Sequence, residues 1–433
     1  MQALQASLTT AHQSSIPNPN LNPTISGQNA ATNIQSVIDS TAGLVEPYAD
    51  SGKTAKGETL PPALHVVTPL VFSEVLSGKH DVYLKMDCLQ PSASFKIRTY
   101  GASPRLRESA QSANKPTNNM ARKHTLSPPR AATPASLPQQ PAKTLGVKCL
   151  VIVPRKTEPY VVQMLQDLGA EVDNKTAEVW DDADRMAREI IARDPDATYV
   201  HPFEGDVLTA GHATLVEELR LQLAEAGVKD SRPDMIVCSV GGGGLIRGII
   251  QGVHATKEKH AEFGTPKIVG VQDFGADSFS QSYNAWLSSG GDPKVVSIPA
   301  ITSKATSMGT KSCSAETLQI ACQYSGDEST RKNRMATLVV DDAISGSACW
   351  QFYRDHQLMV EMACGAALAP VYQPRILDEL VRGLGGPEGE RKTIVIVVCG
   401  GSKVDADTLK TYERDYGKAD DDKVKAMIDG QYI

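Results

Sequence analysis

The chain has 433 residues, 22% of them charged, and a formal net charge of −6. That length can bury a large core and predicts two domains. The acidic balance leaves no basic footprint for nucleic acid, and no apolar run approaches the ~18 residues that a membrane span needs.

Eight cysteines, at 88, 149, 238, 313, 322, 349, 364 and 399, are scattered without a Cys-x-x-Cys pair, which argues against a zinc site. Several lie inside apolar runs, as in Ile236-Val237-Cys238, the usage of reduced thiols in a cytoplasmic enzyme. The first Lys or Arg is Lys53, so neither a secretory nor a mitochondrial leader is expected.

In chain order, residues 1–58 are rich in Ser, Thr, Asn, Gln and Ala. So little apolar surface cannot offset the entropy of ordering, and a disordered tail is expected. Order should begin near Leu64–Leu70, pass an amphipathic segment at Ser73–Leu76 and enter a strand at Val82–Met86. The turn Pro91–Arg98 follows, with Lys96 among small residues and beside Phe95. A lysine that condenses with an aldehyde must spend part of its time as the free amine, near a planar partner. Alone, a lysine in a Ser-rich turn is more often a solvated loop residue.

Residues 102–141 carry Pro104, Pro116, Pro128, Pro129, Pro134, Pro138 and Pro141, with few large apolar residues. No packed βα unit has that composition, so the segment reads as a long irregular insert. Order resumes with a strand at Val147–Val153, a helix at Glu158–Leu168 closed by Gly169, a strand from Glu171 and a helix over Ala183–Arg193. The pattern then predicts helices over Ala213–Ala226, Leu245–Thr256 and Cys364–Tyr372, and strands over Met235–Val240, Lys267–Gln272 and Thr393–Val398. The uncharged runs Met235–Val240 and Thr393–Val398 suit strands buried on both faces, the mark of a parallel sheet covered by helices. The fold class is α/β.

Gly241-Gly242-Gly243-Gly244-Leu245 joins one of these strands to a helix. Glycines let backbone approach an anion, and the helix start aims N–H groups and partial positive charge at it. The absence of a Gly-Lys-Ser/Thr ending excludes a nucleotide P-loop. A tight turn alone would need one glycine, so a phosphate cradle is the better reading. Cys399-Gly400-Gly401-Ser402 follows another such strand. A small thiol at a strand's C-terminal end points into the crevice where α/β ligands bind, although alone it is more often a buried cysteine. A lysine, a phosphate cradle and a neutral thiol together describe a pyridoxal 5'-phosphate (PLP) site: Lys96 for the aldehyde, the glycine turn for the phosphate, Cys399 for the ring nitrogen.

At this point the chain resembles the L-serine dehydratases (serine ammonia-lyases) of the fold type II PLP-dependent serine/threonine dehydratase family. The matching text includes Tyr83–Asp87, Pro91–Arg98, Ser239–Leu245, Phe274-Gly275-Ala276, Ile301-Thr302-Ser303, Ala363–Leu368 and Val398–Ser402. It spans about residues 62–101 and 142–415. The resemblance implies a tryptophan synthase β-like, two-domain enzyme: a large PLP-binding domain from 61–89 and 198–433, and a small domain from 90–197. It implies that Lys96 holds PLP and takes the α-proton of serine. Phe95 would pack on the cofactor ring, Gly241–Gly244 and Leu245 bind the phosphate, and Ser92 and Ala93 touch the substrate. The products would be pyruvate and ammonia, with 2-oxobutanoate from threonine, and the enzyme a homodimer. No separate C-terminal regulatory domain is expected. Alternatives are a serine racemase or another PLP β-eliminase, and a PLP-binding protein with little or no catalysis.

That last alternative arises because the family's Ser-Ser-x-Gly-Asn motif, which holds the substrate carboxylate, is missing; residues 102–141 occupy its place. The codons implied by Leu126–Leu137, read one frame over from each third base, permit Val-Ser-Ser-Ser-Gly-Gly-Asn-Ala-Gly-Leu-Ala. We therefore expect residues from about 102 to 141 to be out of frame. Thr99 also stands where the family has Gly, and Ala210 where an acidic residue helps bind a monovalent cation in relatives, so no cation site is expected. His212 reads as structural.

Overall fold

The computed structural model describes residues 65–101, 124–127 and 148–433, apart from 158, 168, 179, 195–196, 202, 328–333, 388, 402–403 and 418–424. The expected N-terminal tail and most of 102–141 lie outside the described residues.

The first half of the chain forms β1 (Leu70–Phe72), β2 (Asp81–Lys85), α1 (Ile97–Gly101), β3 (His124–Ser127), β4 (Lys148–Pro154), α2 (Pro159–Asp167), β5 (Glu171–Ala177), α3 (Trp180–Arg193), β6 (Thr198–Tyr199) and α4 (Asp206–Glu225). The second half forms β7 (Met235–Ser239), α5 (Gly244–Lys259), β8 (Lys267–Asp273), α6 (Ser278–Ser289), α7 (Ala315–Ser325), β9 (Met335–Val340), α8 (Asp342–His356), α9 (Met362–Tyr372), α10 (Pro374–Val381), β10 (Thr393–Val397), α11 (Ala406–Tyr416), β11 (Ala426–Ile428) and β12 (Gln431–Tyr432).

Two sheets result. The larger runs β1-β2-β10-β7-β8-β9-β11-β12. Its middle, β2 to β9, is parallel, while β1 at one edge and β11 and β12 at the other are antiparallel. Every residue of β7, β8 and β9 is buried. Such strands must be covered on both faces, and β8 buries Lys267, Gln272 and Asp273 along with its apolar residues. The nearly all-apolar α9, buried from Met362 to Pro370, packs against β7, β8 and β10.

The smaller sheet runs β5-β4-β3-β6, all parallel. β4 shows the alternation of a strand between two layers. Cys149, Val151 and Val153 pack with Val162 and Leu165 of α2, while Ile152 packs with Ala183 and Ala187 of α3.

The structure adds elements that the sequence pattern does not single out, among them α6, α7, β9, α8, α10 and α11, and it departs from expectation at β3 and α4. Within the segment expected to be irregular, His124–Ser127 is a strand, seated between β4 and β6. And α4 begins at Asp206, well before Ala213, from a left-handed Gly205 (φ 102°) with no side-chain cap. In residues 206–212 Val207 is exposed, Leu208 is buried and Thr209, Gly211 and His212 are buried polar or small residues, so the apolar period of the helix is not apparent there.

The topology decides where ligands can bind. β2, β10 and β7 are parallel neighbours, so the turns that follow them emerge at one end of the sheet. Those turns carry Lys96, Cys399 and Gly241–Gly244. A crevice outside the carboxyl ends of such strands is the usual ligand site of an open α/β sheet.

Candidate active site

The lysine turn is stitched to the cysteine turn through backbone. The Phe95 N–H donates to the Cys399 carbonyl at 3.2 Å and the Gly401 N–H to the Ala93 carbonyl at 3.4 Å, around a Ser94–Gly400 bridge. Gly400 has φ 138°, and a Cβ there would overlap the Ala93 carbonyl oxygen, so the approach needs glycine.

The three turns enclose one cavity. Phe95, Lys96, Gly241, Gly242, Gly243, Gly244, Leu245 and Cys399 all line it. Ser92 and Ala93 do not line it: the Ser92 hydroxyl donates to the Ser94 carbonyl at 3.1 Å, and Ala93 engages the cysteine turn through its main chain.

Lys96 is half-buried, its Nζ 4.6 Å from the centre of the Phe95 ring. Burial pushes its amine below the ordinary lysine range, and the Glu361 carboxylate partly opposes that. Cys399 Sγ lies 3.4 Å from Ser239 Oγ at the end of β7. A hydrogen bond from the Cys364 thiol lowers the Cys399 pKa most; burial opposes, and Ser239 and Lys96 assist.

The glycine turn is shaped to exclude side chains. A Cβ at Gly242 would overlap the Phe203 ring, and Gly243 has φ 102° with Thr317 against it. α5 starts at Gly244 and runs for 16 residues, so its free N–H groups and positive end face the cavity. Gln272 braces the entry to the turn: its Nε2 donates to the carbonyls of Val240 at 3.0 Å and Ala276 at 2.8 Å, and its Oε1 accepts from the Ser280 N–H at 2.8 Å.

The Thr310 hydroxyl, buried on the cavity wall, has no hydrogen-bond partner among the described residues. A buried hydroxyl of this kind calls for an acceptor. Backbone donors, an unmatched hydroxyl, a lysine amine and a thiol–hydroxyl pair lining one cavity fit pyridoxal phosphate.

Residues outside the sequence expectation complete the site. His212 lies on the cavity wall, its ring 5.1 Å from that of Phe95. Glu361 and Ser307 also line the cavity, and the Ser307 hydroxyl donates to Glu361 Oε2. Behind the lysine turn, buried Arg98 donates two bonds to Asp87 (2.7 and 2.8 Å) and two to Glu218 (2.6 and 2.9 Å). Lys85 joins Glu218 at 2.6 Å, so two cations meet two carboxylates with almost no water. The only sequence signal for Glu361 is its place directly before Met362-Ala363-Cys364. The Arg98 cluster has none, since its members are brought together by the fold.

Among the described residues no helix is long and apolar enough to cross a membrane. The profile of the pyridoxal-phosphate dependent enzyme family matches residues 63–400. A human protein named L-serine dehydratase/L-threonine deaminase is 31% identical over 360 residues, 82% of this chain and 96% of that protein. An L-serine dehydratase of Saccharomyces cerevisiae is 31% identical over 359 residues, 81% of this chain and 96% of that one. The crystal structure of a fungal L-serine ammonia-lyase from Rhizomucor miehei superposes with a TM-score of 0.63 at 27% identity, covering 82% of this chain and 99% of that chain.

Proposed function

This chain belongs to the pyridoxal-phosphate dependent enzyme family, and we propose that it is an L-serine ammonia-lyase that also accepts L-threonine. The products are pyruvate or 2-oxobutanoate, with ammonia. One observation carries the reading: Lys96, Gly241–Gly244 and Cys399 share a cavity in a chain similar to proteins named L-serine dehydratase.

In this reading Lys96 holds the cofactor's aldehyde carbon. Gly241–Gly244, Leu245 and Thr310 hold its phosphate, and Cys399 with Ser239 faces its ring nitrogen. Phe95 packs on the ring. When bound, pyridoxal phosphate supplies an electron sink for the pair released at Cα. Lys96 takes the α-proton; burial favours its free amine below the ordinary lysine pKa. Phe95, tied to Cys399 through its N–H, limits where Nζ can swing.

The same reading includes a large domain built on the eight-stranded sheet, a small domain built on the four-stranded sheet, and a homodimer, the last on the strength of the family resemblance. A cytoplasmic location is supported by eight cysteines that are all free thiols.

The test is direct. Protein loaded with PLP and desalted is expected to show a visible absorption band and to form pyruvate from L-serine. Lys96→Ala should lose the band and slow turnover by about 10³-fold or more. A wild-type band with no pyruvate would leave a PLP-binding protein and end the ammonia-lyase reading.

A further inference from the structure

Elimination from serine needs more than a base at Cα. Hydroxide is a poor leaving group, so the β-oxygen must gain a proton as the Cβ–O bond breaks. The cavity wall carries few groups able to give one. His212 is engaged at both ring nitrogens, to Thr99 Oγ1 and to the Gly244 carbonyl. Cys399 is tied to Ser239 and Cys364. Lys96 is occupied with the α-proton. Glu361 remains.

Its placement is specific. The Glu361 N–H donates to the Gly400 carbonyl at 3.4 Å, and the lysine turn bonds to Cys399 and Gly401 on either side. Lys96 and Glu361 are therefore held by the same three-residue turn and open into the same cavity. The Ser307 hydroxyl orients the Glu361 carboxyl through Oε2. Glu361 is also the carboxylate whose charge acts on the Lys96 amine.

Resting on the ammonia-lyase reading, we infer that Glu361 is the acid that protonates the departing β-hydroxyl, with Ser307 as its positioning residue. The Cβ–O bond breaks with its electron pair on oxygen, and a proton passes from the Glu361 carboxyl to that oxygen to give water. Lys96, which has taken the Cα proton, returns one to the Glu361 carboxylate. One proton leaves carbon, one reaches oxygen, and no oxidant or reductant enters.

The test compares L-serine with β-chloro-L-alanine, whose chloride departs without a proton. Glu361→Gln is expected to lower kcat for serine by about 10²-fold or more and to leave kcat for β-chloroalanine within about threefold, with the PLP absorption band and the thermal melt unchanged. Glu361→Asp, which keeps a carboxyl, should recover part of the serine rate. Equal losses on both substrates, or an unimpaired serine rate, overturn the assignment; the second result would pass the role to the cofactor phosphate at the glycine turn. If Glu361→Gln does not fold, Ser307→Ala decides by the same substrate ratio. Wild-type protein silent toward serine but active on β-chloroalanine would refute the ammonia-lyase reading and this assignment separately from any effect of the variants.

Discussion

His212 Nε2 lies 3.2 Å from the hydroxyl of Thr99. Its other ring nitrogen, Nδ1, lies 3.1 Å from the Gly244 carbonyl oxygen, which can only accept. Nδ1 therefore carries the proton, and Nε2 accepts from Thr99. One neutral imidazole thus ties the lysine turn to the glycine turn. Thr99, where the resemblance expects glycine, supplies the donor that fixes the tautomer.

That arrangement has a pH signature. Burial pushes the His212 pKa from 6.5 to about 4. In the unfolded chain the ring binds a proton below its ordinary value, while the native ring stays neutral. Protons thus favour the unfolded state, and stability falls as pH drops from 6.5 towards 4 by about 3 kcal/mol from this group. Above 6.5 the group contributes no slope. Thermal melts of the wild type against His212→Asn should show a shallower acid decline in the variant, and parallel declines would refute the assignment.

Much of this architecture is legible in the sequence, for a physical reason. β7 and β10 are almost wholly buried and carry no charge, so their strands stand out, whereas Met335–Val340, equally buried, is not singled out by the pattern. The glycine turn stands out because four successive glycines exceed what a tight turn needs, while Lys96 is a weak signal alone and gains weight only beside that turn and Cys399. Their convergence is a consequence of the strand order β2-β10-β7, which no local pattern encodes. Arg98, Asp87 and Glu218 are equally silent: alternation along the chain does not reveal which charges will be buried together.

Cys399 offers a handle that needs no turnover. Its pKa is lowered, chiefly by the hydrogen bond from Cys364, and it lines the cavity. Burial raises Cys149 to about 12 and Cys313 to about 11, and pushes Cys88, Cys238, Cys349 and Cys364 up as well. Since the thiolate is the nucleophile, iodoacetamide should modify Cys399 ahead of these six, and PLP should slow that reaction by about tenfold or more. Peptide mapping by mass spectrometry reads both. Modification of Cys88 first, or no protection by PLP, would place the cofactor elsewhere.

Arg98 is two residues from Lys96 and fully buried, forked between Asp87 and Glu218. Removing it leaves two buried carboxylates with only Lys85 to oppose them. Arg98→Met is expected to cost about 3–5 kcal/mol in urea unfolding. Arg98→Lys should recover little, because a point ammonium cannot make two bidentate contacts. A loss below about 1 kcal/mol would mean that the cluster is not assembled as described.

The remaining prediction concerns the segment around β3. β3 lies in the middle of the parallel small sheet, between β4 and β6. The chain that leaves the C-terminal end of such a strand is where ligand-binding turns belong, as Gly241–Gly244 does after β7. The codons that permit Ser-Ser-Ser-Gly-Gly-Asn in the shifted frame begin at Ser127, the last residue of β3, so the motif would fall at that place. Sequencing of the gene and its transcript across codons 102–141 is expected to show compensating single-base shifts on the two sides. The frame-restored chain should exceed the written one in kcat/KM for serine by about 10²-fold, since loss of a substrate-positioning turn costs on that order. Reads that keep the written frame, together with equal activity of the two chains, would mean that substrate carboxylate is held by other residues of this cavity.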